Sequence, residues 1–186
     1  MNFVQPIRSK EKLEQMKEEL KRTGTRNYLL FYTGINTGLR VSDIIKLNYD
    51  DIRDNYGNMK SHISITEKKT GKIKKFPICN GLYDELEKYT ENMMQGEYLF
   101  KSQIGTNRPI TTTQAYRILK ATANKVGLEE VGTHTMRKTF GYWHYKQYHD
   151  VALLQTIFNH SSPSITLRYI GISQDQIDQS YRDFSL

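Results

Sequence analysis

The chain has 186 residues, of which 27 are Lys or Arg and 20 are Asp or Glu, for a formal net charge of +7. Hydrophobic residues make up 37% of it, enough for a packed core, which excludes a wholly disordered chain. A single cysteine excludes a disulfide framework within the chain, and the sequence has neither a membrane-spanning apolar run nor a secretory signal. We expect one intracellular, cytoplasmic domain, for which the charge alone makes a nucleic-acid partner an even choice.

Helical spacing dominates the first quarter of the chain. Ser9 is a good N-cap for a helix whose apolar residues recur three and four positions apart up to Gly24. An apolar segment over 28–32 follows, and residues 40–47 have the pattern of a short amphipathic helix.

The period changes over residues 61–78. Ile63 and Ile65 alternate with polar residues, Thr70-Gly71 is typical of a turn, and apolar residues alternate again on the return. This pattern predicts a β-hairpin with several lysines near its tip.

Helical patterns return in the remainder of the chain. They cover 82–89, 112–126, 135–148, 150–158, a segment that starts at Ser162-Pro163, and the polar tail over 173–186. The predicted fold class is therefore mainly α with a small antiparallel β-sheet (α+β). A single domain over 1–186 is expected, with residues 1–8 as an N-terminal extension.

Several motifs are absent from the sequence. It contains no P-loop, no GxGxxG, no HExxH and no Cys-x-x-Cys, and its five histidines lack a recurring ligand spacing. We therefore predict neither a metal site nor ATP-driven chemistry. Cys79, alone after a strand pattern, is expected to pack as a small hydrophobe.

Thr37-Gly38-Leu39-Arg40 is the first segment that suggests chemistry. Gly38 permits a sharp turn, so Arg40 would lie in the first turn of a helix, where backbone N–H groups favour an anion. Its guanidinium would add a bidentate fork for phosphate or carboxylate. The alternative is a solvated arginine on an amphipathic helix.

His134 and Arg137 form the second candidate. Because they are three residues apart on a predicted helix, they would share one face and converge on one ligand oxygen. Met136, Phe140 and Trp143 would turn the opposite face to the core. The alternative is a histidine and an arginine on a solvated face.

The third candidate spans residues 159–169. His160 ends one predicted helix, Tyr169 lies two turns into the next, and Asn159 tolerates the left-handed backbone of a turn. A tyrosine, with a pKa of about 10, needs positive charge and a proton acceptor nearby before it can attack anything. With 13 tyrosines in the chain, the alternative is an ordinary core or surface residue.

The hairpin tip over 67–72, with the sequence EKKTGK, is the fourth candidate. A lysine on a β-turn can reach into a groove, where it donates a proton or holds a phosphate. The alternative is an exposed basic turn that protects an edge strand from unwanted pairing.

In their order along the chain, these motifs resemble the catalytic domain of the tyrosine recombinase family, the phage-type integrases. The order is TGLR, KTG on a hairpin, HxxR on a helix and H-x8-Y, and the resemblance runs from about residue 10 to the end. It implies the tyrosine recombinase catalytic-domain fold, with the N-terminal core-binding domain of larger members absent. Asn159 departs from the pattern, because a glycine commonly precedes the second histidine.

The resemblance also assigns roles to individual residues. It makes Tyr169 the nucleophile and Asp43 an acidic residue that supports the site. The remaining catalytic residues that it implies are the phosphate-binding pair Arg40 and Arg137, the histidines His134 and His160, and the hairpin lysine Lys69. Neighbouring lysines compete for that last position, and the residues expected at the DNA are Lys68, Lys72 and Arg168.

The implied function is site-specific DNA recombination through a 3′-phosphotyrosyl intermediate, without metal, ATP or another cofactor. Double-stranded DNA is the implied partner, with four protomers on two DNA sites, a monomer without DNA, and no membrane. The tail over 173–186 either packs on a neighbouring protomer or folds back on its own domain. The family implies a bacterial or phage-encoded protein associated with the nucleoid.

Two other classes of protein remain as alternatives. A non-catalytic DNA-binding regulator could keep the same fold, although a pure binder has no need for the complete set of candidate residues. An unrelated basic RNA-binding or ribosome-associated protein would require the motif order to be a coincidence.

Overall fold

The computed structural model describes residues 4–66, 71 and 73–185. Within them the helices are α1 (Lys10–Thr23), α2 (Thr25–Thr37), α3 (Val41–Ile44), α4 (Tyr49–Ile52), α5 (Asn80–Thr90), α6 (Thr112–Lys125), α7 (Thr135–Tyr148), α8 (Val151–Phe158), α9 (Pro163–Ile170) and α10 (Ile172–Asp183), and the strands are β1 (His62–Thr66) and β2 (Ile73–Pro77). The predicted class, mainly α with one small antiparallel sheet, is confirmed. No helix in the described part of the chain is both long and apolar enough to cross a membrane.

Side-chain caps define where several helices begin. Ser9 accepts a hydrogen bond from the backbone N–H of Lys12, and Asp150 accepts one from that of Leu153. Helix α9 begins with Pro163, whose missing N–H costs nothing at a helix start. These starts agree with the sequence prediction because each depends on local chemistry that a short segment contains.

The hairpin places one strand face on the core. His62 lies opposite Pro77 and Thr66 opposite Ile73, so β1 and β2 pair along their whole length. Ile63 is completely buried, whereas its neighbours on β1 are exposed. The predicted alternation and the hairpin itself are therefore confirmed.

Two short helices differ from the sequence pattern. Helix α3 covers only Val41–Ile44, so Arg40 is not in its first turn but is its N-cap, with an extended backbone. Helix α4, which is too short to show apolar periodicity, begins with a reciprocal capping box between Asn48 and Asp51.

Cys79 is exposed, so the prediction of a packed small hydrophobe is wrong. It is the N-cap of α5, at the point where the chain leaves the sheet. Because this junction lies after the end of β2, the alternation of inward- and outward-facing side chains along the strand does not determine the direction of Cys79.

Among the residues that the structure describes, two clusters of buried side chains form the core, and α7 belongs to both. Met136 packs into the larger cluster, which the helices α1, α2, α5 and α6 share with the hairpin. Tyr142 packs into the smaller cluster, which lies among α7 to α10. The buried members of the smaller cluster are Tyr142, Leu154, Phe158, Ile170 and Ile172.

Gly141 lets α7 approach α8 and α9 closely. A Cβ atom at this position would lie 2.6 Å from a side-chain atom of Ile170 and 2.7 Å from the ring of Phe158. Because only hydrogen fits, this glycine allows the helix that carries Arg137 to pack directly against the helix that carries Tyr169.

Candidate active site

Tyr169 and His134 meet although they come from different elements. The hydroxyl oxygen of Tyr169, on α9, lies 3.1 Å from Nδ1 of His134. His134 is the N-cap of α7, three residues before Arg137, and the side chains of both residues reach the hydroxyl of Tyr169, so they share one face as predicted. The approach to the phenol comes from the helix start, where the histidine ring is exposed.

Arg137 is held rigidly in the interior. Its side chain is 2% exposed, and its two terminal nitrogens donate to the carbonyl oxygens of Gly38, at 2.6 Å, and Phe158, at 2.9 Å. The guanidinium carbon also lies 4.3 Å from the centre of the Phe158 ring. Two carbonyls and one aromatic face therefore fix the plane of this cation before any ligand arrives.

The environment of Tyr169 acts on its phenol in two opposing ways. Burial raises the pKa of Tyr169, while the positive charges of Arg137 and Arg40, with a hydrogen bond from Arg137, act to lower it. Burial has the larger effect, so the net pKa lies above that of an ordinary tyrosine. The phenol stays protonated at neutral pH, and any attack by its oxygen requires a proton acceptor.

Arg40, whose charge acts on the Tyr169 phenol, forms a partly buried pair with Asp43. Nη1 of Arg40 lies 4.0 Å from an oxygen of Asp43, whose side chain is 3% exposed. The N-cap position of Arg40 sets its backbone, because Gly38 has just turned the chain with a left-handed φ of 63°. The buried carboxylate thus lies where it can orient the arginine.

His160 also packs against the tyrosine ring. Its ring centre is 5.1 Å from that of Tyr169, and its Nδ1 lies 3.0 Å from the hydroxyl of Thr166. Asn159 ends α8 with φ 54° and ψ 48°, the left-handed conformation that its residue type favours. The predicted turn at Asn159 is therefore confirmed.

Of the residues predicted to contact DNA, the structure describes Arg168 but not the hairpin lysines. Lys68, Lys69 and Lys72 lie outside the described residues. Arg168 is exposed and directly precedes Tyr169 in α9. Lys74, on β2, donates to the carbonyl of Ile157 at 3.1 Å and so ties the hairpin to α8.

Three neighbours of the site escape sequence reasoning. Phe158 lies against the guanidinium of Arg137, Thr166 holds His160, and the ammonium of Lys138 lies 5.2 Å from the centre of the Tyr169 ring. Phe158 and Thr166 look like ordinary core residues of short helices. Lys138, directly after Arg137, is recognisable in the sequence as a charged residue. Its position in the sequence does not indicate that its ammonium lies near the ring of Tyr169.

Metal ligands are not grouped in the part of the chain that the structure describes. No three or more His, Cys, Asp or Glu side chains there are close enough together to hold a metal ion. The chemistry that the site offers is that of a phenol, two guanidinium groups and two imidazoles.

A mainly helical domain that surrounds one tyrosine with these cations and imidazoles is of the tyrosine recombinase class of DNA strand transferases. The model of the phage integrase family matches residues 8–175. Because this match covers most of the sequence, the chain belongs to the phage integrase family.

Individual relatives agree with this assignment. The chain is 50% identical to the probable integrase/recombinase YoeC of Bacillus subtilis (strain 168), over 99% of its own length and 98% of that protein. It is 25% identical to the tyrosine recombinase XerA of Pyrococcus furiosus, over 92% of its own length but only 59% of that protein.

Solved structures show the same fold. The crystal structure of XerA recombinase superposes with a TM-score of 0.74 at 21% identity, covering 97% of this chain and 65% of that one. A lambda integrase dimer bound to a COC′ core site superposes with a TM-score of 0.69 at 17% identity, covering 91% of this chain and 60% of that one. The chain thus spans about two thirds or less of both solved chains.

Proposed function

We propose that the chain is a site-specific DNA recombinase or integrase, which cuts and rejoins DNA through a 3′-phosphotyrosyl intermediate at Tyr169. One observation carries the proposal: the Tyr169 hydroxyl lies 3.1 Å from a ring nitrogen of His134. An attacking phenol needs a proton acceptor at hydrogen-bond distance, and the protein supplies one before any DNA is bound.

The first step is attack on a DNA phosphodiester. The phenol oxygen of Tyr169 forms a bond to phosphorus, and the bond from phosphorus to the 5′-oxygen breaks. The phenol proton passes to His134 during the attack, because burial raises the pKa of Tyr169 and leaves little phenolate at neutral pH.

Arg40 and Arg137 stabilise the charge that develops on the non-bridging phosphate oxygens. The guanidinium of Arg137 is already fixed by the carbonyls of Gly38 and Phe158, so little reorganisation is needed in the transition state. His160, held through Thr166, donates a further hydrogen bond to the phosphate.

The step balances without an external energy source. Lys69 supplies the proton that the leaving 5′-oxygen needs, which yields a free 5′-hydroxyl. The phosphotyrosyl bond retains the energy of the broken phosphodiester, so the 5′-hydroxyl of a partner strand reverses the step and exchanges strands. Neither ATP nor a metal or other cofactor is part of the proposed reaction.

Double-stranded DNA is the proposed partner. The formal charge of +7 favours a polyanion, and the lambda integrase dimer with the same fold is bound to a COC′ core site. Lys68, Lys72 and Arg168 are proposed to contact the DNA, and the exposure of Arg168 beside the nucleophile supports its part in this.

The C-terminal tail supports self-association on DNA. Asp175, in the first turn of α10, is tied to Arg8 at 3.0 Å, whereas Ile177, Tyr181 and Phe184 are 49%, 78% and 68% exposed. Only the beginning of the tail is therefore packed against its own domain, and the rest of its apolar side chains remain exposed. We propose that these apolar side chains pack on a neighbouring protomer in a tetramer on two DNA sites, and that the chain is a monomer without DNA.

Covalent selection tests the proposal and finds the target sequence in the same experiment. The protein is incubated with a pool of nicked duplexes that contain a random segment, and DNA that stays attached under denaturing conditions is amplified and selected again. We expect one sequence to be enriched by the native chain and no covalent adduct with Tyr169→Phe, which should still bind the selected duplex. Binding without adducts in the native chain would instead identify a non-catalytic regulator.

A further inference from the structure

Residues 4–8, which we call the N-terminal strap, cross the surface of α7. The N–H of Ile7 donates to the hydroxyl of Thr139 at 2.9 Å, and the indole of Trp143 donates to the carbonyl of Ile7 at 2.9 Å. Ile7 itself is 2% exposed, and Gln5 adds a backbone hydrogen bond of 3.0 Å to Glu130. The strap is therefore an integral part of the fold on the side of α7 that leads to the candidate site.

Lys138 connects the strap to Tyr169. Its ammonium donates to the carbonyl of Val4 at 2.7 Å, and the same nitrogen lies 5.2 Å from the centre of the Tyr169 ring. Lys138 follows Arg137 on α7, so one turn of helix presents one cation to the phenol oxygen and another to the ring.

A second connection joins the strap to the end of the nucleophile helix. Arg8 forms an ion pair of 3.0 Å with Asp175, and its guanidinium also lies 5.5 Å from the ring centre of Tyr142. Asp175 belongs to the first turn of α10, which follows α9 after the single residue Gly171. The strap thus contacts α7 and the α9–α10 junction, the two parts that determine where Tyr169 lies relative to Arg137.

We propose that Lys138 is a positioning residue for Tyr169, which it holds by a cation–π contact while the strap carbonyl of Val4 holds the ammonium in place. The inference rests on the proposed nucleophilic role of Tyr169. It adds Lys138 and the N-terminal strap, which are not among the site residues predicted from the sequence. A cation over the ring face restricts rotation of the phenol. The attraction between the cation and the ring becomes stronger as negative charge develops on the phenol oxygen.

The surroundings of Lys138 suit this role. Burial and the charge of Arg8 lower the pKa of Lys138, as expected for an ammonium with little water around it. A cation–π contact is stronger at such a site than at an exposed one. A lysine that served only to attract DNA would be more effective in solvent.

The central variant is Lys138→Met, which keeps the length of the side chain and removes its charge. Lys146→Met is the matched control, because Lys146 lies on the same helix with its ammonium 5.6 Å from another ring, that of Tyr142. Lys138→Arg restores a cation that can lie over an aromatic face. Thermal unfolding of all three variants shows whether the fold is retained.

Two measurements separate positioning from DNA attraction. At saturating concentration of the selected nicked duplex, we expect Lys138→Met to slow adduct formation about 3- to 30-fold, with the Kd for DNA within about twofold of the native value. Lys138→Arg should recover most of the rate, and Lys146→Met should not lower it. A weaker Kd with an unchanged rate, or an equal loss in Lys146→Met, would overturn the proposal.

A third measurement needs no DNA and stays informative if the proposed function fails. In protein with 13C-labelled tyrosine, the Tyr169 signals are assigned by their loss in Tyr169→Phe. We expect Lys138→Met to shift these signals and increase the mobility of the ring at neutral pH. Unchanged Tyr169 signals would overturn the positioning role, whereas a native chain that forms no DNA adduct would contradict only the recombinase proposal.

Discussion

The phenol oxygen of Tyr169 lies 3.1 Å from Nδ1 of His134, although 35 positions separate the two residues in the chain. The contact joins the last turn of α9 to the N-cap of α7, so it depends on how these helices pack and not on any local motif. The proposed nucleophile and its proposed proton acceptor are therefore within hydrogen-bond distance in the protein without DNA.

The first prediction concerns this pair. His134→Ala should slow adduct formation about 10²- to 10⁴-fold, because the buried phenol of Tyr169 loses its proton acceptor. Single-turnover assays on the selected nicked duplex measure this rate. The control is His149→Asn, at the exposed opposite end of the same helix, where asparagine accepts the left-handed φ of 54°. Equal rates for the native chain and His134→Ala would contradict the assignment of the proton acceptor.

Arg137→Lys should impair both rate and stability. A single ammonium cannot donate to the carbonyls of Gly38 and Phe158 and also present a fork to phosphate. We expect adduct formation to slow by about 10²- to 10³-fold, and the free energy of unfolding to fall by about 1–3 kcal/mol. Urea unfolding and single-turnover rates test this against Arg117→Lys, an exposed arginine on α6. Near-normal cleavage by Arg137→Lys would argue against the phosphate-binding role.

Gly38→Ala should disturb the site through the backbone. The added Cβ would lie 2.4 Å from the Phe140 ring at a φ of 63°, and the displaced carbonyl is one that holds Arg137. We expect a loss of about 2 kcal/mol in the free energy of unfolding together with a slower adduct rate. Gly96→Ala is the comparison, since its φ of 79° is also left-handed but no atom lies within 4 Å. If both variants behave alike, the contact with Phe140 is unimportant.

Tyr28→Phe should change how stability depends on alkaline pH. Burial, and secondarily the charge of Glu85, raise the pKa of Tyr28, whose hydroxyl lies 3.2 Å from that carboxylate. Above about pH 10 an unfolded chain releases the phenol proton and the folded chain retains it, so the free energy of unfolding falls as pH rises.

Removing this hydroxyl should make the fall less steep. Tyr28→Phe should be less stable than the native chain by about 1–2 kcal/mol near neutral pH, and the difference should narrow between about pH 9 and 11. Urea unfolding across this range measures it, with Tyr56→Phe, 90% exposed, as the control. If the free energy of unfolding falls equally with pH in Tyr28→Phe and in the native chain, the raised pKa of Tyr28 does not contribute to the pH dependence of stability.

Changes in the tail should affect assembly without affecting the fold. The double variant Ile177→Ser and Tyr181→Ser replaces exposed apolar residues of α10, so its melting temperature should stay within a few degrees of the native value. Analytical ultracentrifugation with the selected duplex should show fewer four-protomer complexes. Gln176→Ser with Gln179→Ser provides a polar control on the same helix. Normal tetramers in the apolar double variant would contradict docking of the tail on a neighbour.

Features that depend on one short segment could be predicted from the sequence. Ser9 caps α1 because its hydroxyl reaches an N–H three residues away, and Asn159 adopts a left-handed conformation because its side chain permits one. The alternation of Ile63 and Ile65 likewise predicted the hairpin. In each case the residue type determines the geometry within one turn of chain.

Features that depend on tertiary packing could not be predicted. The carbonyls of Gly38 and Phe158 hold Arg137, but a backbone carbonyl is common to every residue and leaves no mark in a sequence. The position of Lys138 over Tyr169 follows from the path of the strap and from the close approach of α7 to α9. The order of the motifs identifies the family, whereas the supports around them become visible only in three dimensions.

The two clusters of the core support different residues of the candidate site. Arg40 belongs to the side built on the larger cluster, and Tyr169 is carried by α9, which rests on the smaller one. The smaller cluster contains far fewer buried side chains than the larger one, so we expect α8 to α10 to open locally at a lower free energy than global unfolding. We therefore expect a substitution that loosens the smaller cluster to displace Tyr169 while Arg40 keeps its position.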